Sequence, residues 1–105
     1  MKEHVPWQWL ILGILDDYSG QTELQDIYIE IEKQNDELKK DGSELINQDL
    51  FRIYPRYGNR PKYQHSVRAH LSSYRKHGWV NKIDRAIYRL TYEGKKRLEW
   101  VKQNA

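Results

Sequence analysis

Cysteine is absent from the 105 residues. That excludes a disulfide framework and any thiolate metal site, and it fits a reducing compartment. Long apolar runs are absent too. The longest, residues 9–15, is interrupted by Gly13 and falls far short of the ~20 residues that a membrane-spanning helix needs. It follows Pro6 directly, with no basic leader and no Ala-x-Ala cleavage site, so it is not a secretory signal. A cytoplasmic protein with no membrane partner is expected. Acidic residues are scarce in one half of the chain. Residues 51–105 hold 14 Lys and Arg against 3 Asp and Glu, whereas residues 1–50 hold 4 against 12. A net charge of +3 therefore hides a first half at −8 and a second at +11.

Charge segregated in this way suggests a polyanion-facing surface built by the second half. The plainer reading is two complementary faces of one small domain that attract each other. At this length one domain, residues 1–105, is expected, with a core sufficient to fold unaided. No internal repeat or low-complexity segment interrupts it.

Pro6 and Trp7 open a first helix, where proline is well placed. Trp7, Leu10, Ile11, Ile14 and Leu15 recur at helical spacing, and the helix should end near Asp17 or Tyr18. Residues 19–22 read as a connector that either pairs as a strand or does not. Thr22 is placed to cap a second helix over residues 23–34. Leu24, Ile27, Tyr28 and Ile31, with Leu38 beyond, mark its buried face. Glu23, Asp26, Glu30 and Glu32 lie off that face, so this helix should not run along phosphates. Residues 35–61 read as a long connecting segment, unusual in a small domain and a hint of function or mobility. Within it, residues 45–53 suggest a short helix with Leu45, Ile46, Leu50 and Ile53 inward. Tyr54-Pro55, Gly58-Asn59 and Pro61 are loop signals.

Residues 62–77 form the candidate recognition helix, closed by Gly78. Tyr63, Val67, Leu71 and Tyr74 fall within a narrow arc and anchor it. His65, Ala69, Ser72 and Lys76 lie opposite, with Arg68 and Arg75 along one edge. A small, polar, basic face suits entry into a DNA groove. Residues 79–83 and 86–90 read as two strands around Asp84-Arg85, a candidate wing over residues 79–90. Val80, Tyr88 and Leu90 should point inward, and Lys82, Arg85 and Arg89 outward toward phosphates. Thr91 caps a final helix to about Lys102, in which Leu98 and Val101, with Trp100, pack back on the domain. The fold class expected is mainly α with a small β-hairpin, in the order of a winged helix-turn-helix.

The interface expected on duplex DNA comprises Arg60, Lys62, His65, Arg68, Ser72, Arg75, Lys76, Lys82, Arg85 and Arg89. Residues 52–60 add a second surface, since Arg52, Arg56 and Arg60 interleave with Tyr54 and Tyr57 in a pattern that suits phosphate pairing and stacking. The plain alternative is that the tyrosines cover the core and the arginines stay solvated. The four histidines do not make a metal site. His65 and His70 are five apart and do not share a helix face. His70 should instead pack against Tyr63 or Tyr74. No metal or cofactor is expected.

The run Asn59-Arg60, an amphipathic helix, His77-Gly78-Trp79, then Tyr88-Arg89-Leu90-Thr91-x-x-Gly94 resembles the winged-helix N-terminal domain of Mrr-type restriction endonucleases. The likeness covers nearly the whole chain. It implies a DNA-binding module that guides a nuclease toward modified DNA, with contacts from Arg68, Ser72 and Arg85. One departure lies at the wing. The family carries an Arg-Gly pair there, and here Arg85 precedes Ala86. Alanine resists positive φ, so a differently built tip is expected. A second departure is chemical. A metal-dependent nuclease needs a strand-borne Asp with a downstream Glu-x-Lys, and Glu37-Leu38-Lys39 and Glu93-Gly94-Lys95 match only by chance. No enzymatic activity is expected of this chain; a nuclease would be another domain or partner. Two other classes compete with DNA binding. One is a protein-interaction module, such as a phage or defence-system regulator or inhibitor, using the acidic first half. The other is a homodimeric transcription regulator.

Overall fold

A computed structural model describes residues 4–104, apart from the side chain of Tyr57. It is mostly helical, with small antiparallel sheets. Helix α1, Trp7–Asp17, starts after Pro6, whose φ of −59° is already helical. Leu10, Ile11, Leu12, Ile14 and Leu15 are buried along it. Ser19 and Gly20, both at positive φ, turn the chain. The connector then does pair: β1, Gln21–Glu23, is a strand.

Helix α2, Leu24–Lys39, begins after Glu23, and no side chain caps it. Thr22 is not the cap. It lies one residue too early, buried in β1. Helix α2 also runs past residue 34, where the apolar spacing stops. The extension is held by a buried amide. Asn35 Oδ1 accepts from the Leu45 backbone N–H at 3.3 Å and from Gln48 Nε2 at 2.9 Å. A buried amide satisfied in this way pins the helix end to the next segment.

The long connection is more ordered than loop signals suggest. Residues 48–51 form a short 3-10 turn rather than a helix over 45–53, with Asn47 accepting from Asp49 N–H at 3.0 Å. Leu45 and Ile46 are buried as expected. Ile53 is not, at 65% exposure. It belongs to a two-residue strand, β2 (Ile53–Tyr54), that pairs with β3 (Arg60–Pro61) across a second 3-10 turn, Pro55–Tyr57.

Helix α3, Lys62–Lys76, buries Tyr63, Val67, Leu71 and Tyr74, the four residues its spacing selects. Gly78, at φ 79°, ends it. Strands β4, Val80–Asp84, and β5, Ile87–Leu90, follow. The sheet order is β1-β5-β4, with Thr22 opposite Tyr88 and Lys82 opposite Tyr88 on its other side. The hairpin tip is Arg85-Ala86. Ala86 takes positive φ, 58°, despite its Cβ, so the tip has the backbone a glycine would favour. Its carbonyl accepts from Leu24 N–H at 2.8 Å. That bond explains why the conformation persists.

Helix α4, Tyr92–Asn104, is capped as expected. Thr91 Oγ1 accepts from Gly94 N–H at 2.9 Å and donates to the Gly78 carbonyl at 2.6 Å. Leu98 and Val101 are buried, while Trp100 is 52% exposed and does not pack inward. Helix α4 lies against α1 and beside the start of β4. Gly94 makes this approach: a Cβ there would sit 2.0 Å from the Trp79 carbonyl oxygen. Among the described residues, no helix is long and apolar enough to cross a membrane.

Candidate nucleic-acid interface

Anchoring α3 by its apolar arc forces its other face outward. His65, Arg68, Ala69, Ser72, Arg75 and Lys76 are all exposed there. Burial of Val80 at the start of β4 sets the hairpin beside the C-terminal half of that face. Ser72, Arg75 and Lys76 of α3 line a shallow cleft together with Asn81 and Lys82 of β4. Two elements expected to act together therefore meet. Asn81 was not among the expected contacts. It adds an amide able to both donate and accept.

The N-terminal half of α3 carries a second group. Burial raises the Tyr28 phenol above its ordinary value, against the pull of Arg68 and Arg60, whose cations favour the charged form. Tyr28 belongs to α2, Arg68 to α3 and Arg60 to β3. Three elements thus place two guanidinium groups around one buried aromatic. On the hairpin, Lys82 Nζ lies 5.9 Å from the Tyr88 ring centroid. Tyr28 and Tyr88 are both buried. Their helical and strand periodicity marks them as core.

The hairpin does not gather all of its expected cations. Lys82 faces Tyr88 across the β4–β5 ladder. Arg89 is the next residue and so points to the opposite face. There its Nε and Nη2 donate to Gln21 Oε1 at 3.4 and 3.2 Å. Arg85 is exposed at the tip, where its own N–H is held by Asp84 Oδ1 at 2.7 Å. Lys62 is half-buried, with Nζ 5.6 Å from the Tyr54 ring centroid.

Ion pairing separates this face from the other basic clusters. Lys95 pairs with Asp16 at 3.7 Å, Lys96 with Glu93 at 3.9 Å, and Arg52 with Asp49 at 3.9 Å. Arg97 donates to Gln8 at 2.7 Å. By contrast, no ion pair among the described residues includes Arg60, Arg68, Arg75, Lys76, Lys82 or Arg85. Cations left without carboxylates keep their field available to an external polyanion.

His70 and His77 pack against aromatic rings. His70 stacks on Trp7 at 4.9 Å and tilts against Tyr74 at 5.8 Å, and burial pulls its pKa down. Tyr63 is not its neighbour; that ring meets Tyr28 and Phe51 instead. His77 stacks on Trp79 at 4.5 Å. No cluster of three or more His, Asp or Glu able to hold a metal occurs among the described residues. No family model, curated protein or solved structure matches this chain.

Proposed function

We propose that this chain is a winged-helix module that binds duplex DNA. Helix α3 enters the major groove, and the β4–β5 hairpin acts as a wing on the adjacent backbone. One observation carries the reading: Arg68, Arg75, Lys76 and Lys82 are exposed on two adjoining elements and enter no ion pair among the described residues. The element order supports it, since a helix, a strand, two further helices and a hairpin closing on the first strand is the winged-helix order. Phosphate contacts dominate affinity, and Ser72 and Arg75 supply groove-facing donors. A targeting or regulatory role in a restriction or defence system is the biological setting we favour, from the resemblance of its α3-to-α4 motifs.

The test is titration of a labelled duplex between about 50 and 200 mM salt. The Arg68→Ala, Arg85→Ala double variant should keep its fold and bind more weakly. Its slope of log affinity against log salt should be shallower by about 2, near 0.9 per lost phosphate contact. A double variant with the parent's affinity and slope refutes the groove assignment.

A second reading has its own observation. A cleft of about 1130 Å³ between α1 and α2 is lined by Trp9, Leu10, Ile14, Glu30, Glu37 and Leu38. It is apolar within and partly acidic at its rim, which suits a basic protein segment. Weak, salt-insensitive duplex binding by the parent would favour that reading.

A further inference from the structure

Behind α3, on the side away from Arg68 and Ser72, lies a cavity of about 390 Å³ between α1, α3 and α4. Its walls are mainly aromatic: Trp7, His70, Tyr74, Trp79 and Trp100. The rings support one another. Trp7 stacks on His70, and Tyr74 meets Trp79 at 5.5 Å. A volume in this range takes a small molecule.

Two polar groups there have donors to spare. Tyr74 is 3% exposed, and its hydroxyl is buried without a hydrogen-bond partner. A buried unsatisfied donor is costly and rare. The second group is Arg97. Its guanidinium carbon lies 4.3 Å from the Trp100 ring centroid and 5.0 Å from that of Trp79. Nε donates to Gln8 Oε1. Its two terminal nitrogens have no acceptor among the described residues. Arg97 is also near enough to the Tyr74 phenol to oppose the rise that burial causes. Tyr74 and Arg97 both line the cavity.

Among the described residues, no carboxylate lines the cavity. An aromatic box usually suggests a cationic guest. Here Arg97 already holds the place between the two tryptophans, so a second cation would be repelled. An anion is the complementary charge, and a flat apolar body is the complementary shape. We propose that this cavity binds a small aromatic carboxylate, whose ring lies among Trp7, His70 and Trp79 and whose oxygens accept from Arg97 and, once the rings part to expose it, from Tyr74 Oη. The site stands independently of the DNA reading.

Benzoate is the probe, with acetate and benzyl alcohol as controls for the ring and the charge. The readout is the indole N–H resonances of the folded protein. Trp9, which lies in the other cleft, is the internal reference. Benzoate should shift Trp7, Trp79 and Trp100 saturably and leave Trp9 unmoved. Both controls should bind at least tenfold more weakly. Tyr74→Phe removes only a hydroxyl without a partner, so the variant should fold, and benzoate affinity should fall about tenfold or more, as expected for a lost bond to a charged acceptor. Arg97→Gln should weaken it at least as much. Linear, unsaturable shifts, controls equal to benzoate, or unchanged affinity in Tyr74→Phe would each overturn the site.

Discussion

Gly94→Ala should unfold the junction between α4 and the hairpin. The added Cβ would lie 2.0 Å from the Trp79 carbonyl oxygen, 2.8 Å from Leu90 Cδ1 and 2.9 Å from the Trp79 carbonyl carbon. Leu90 can rotate. The carbonyl cannot move freely, because it accepts from Thr91 N–H at 3.0 Å. Thr91 is in turn held by Gly78 and Gly94. Overpacking of this kind costs roughly 3 kcal/mol, and loss of the Thr91 bond adds about 1 kcal/mol. The better helix propensity of alanine returns about 1 kcal/mol. A net loss of about 3 kcal/mol lowers the melting temperature by roughly 15 °C in a domain of this size. Gly13→Ala is the matched control. Its Cβ would meet only Trp9 Cδ1, at an ordinary 3.7 Å, so the helix gain of about 0.5–1 kcal/mol remains. Thermal unfolding followed by circular dichroism should show opposite shifts for one chemical change. A Gly94→Ala melting point within about 2 °C of the parent, less than a 1 kcal/mol change would give, would mean that α4 does not approach Trp79 as described.

Three further substitutions probe local features. Ala86→Gly should stabilise the protein by about 0.5 kcal/mol, because relief of the left-handed conformation outweighs the looser unfolded chain; a lower melting temperature would refute strain at the tip. Tyr74→Phe should raise stability by about 1 kcal/mol in ligand-free protein, since it deletes a buried hydroxyl with no partner; denaturant titration decides. His70 has a folded pKa below its ordinary 6.5 because burial disfavours the imidazolium. The unfolded chain therefore binds the proton more readily, and stability present above pH 6.5 is lost as pH falls through that value toward the folded pKa. Melting curves from pH 8 to 5 should show this fall (both limits being about two pH units or less from an unperturbed histidine), and His70→Gln should flatten it.

Periodicity made some elements legible and hid others. Helix α3 was readable because Tyr63, Val67, Leu71 and Tyr74 repeat at one turn each and nothing else competes for its core face. The hairpin strands were off by a residue, since Trp79 and Ala86 differ little from strand residues in character. Helix α2 looked too short because Asn35, the residue that extends it, is polar; its partners Leu45 and Gln48 lie across a turn that no local window reaches. Thr22 looked like a cap, but its backbone was claimed by pairing with Tyr88, 66 positions away. The exposed cations of α3 could be named in advance. The split of Lys82 from Arg89 could not, because it follows from ladder register rather than from charge.

The pairing of Gln21 with Arg89 has a consequence during synthesis. Strand β1 and the hydrogen bond from Leu24 to Ala86 stay unmade until residues 86–90 leave the ribosome. The acidic first half, at −8, and the cationic second, at +11, are thus joined by bonds that span most of the sequence. Folding is what converts an attraction between two halves into a surface turned outward.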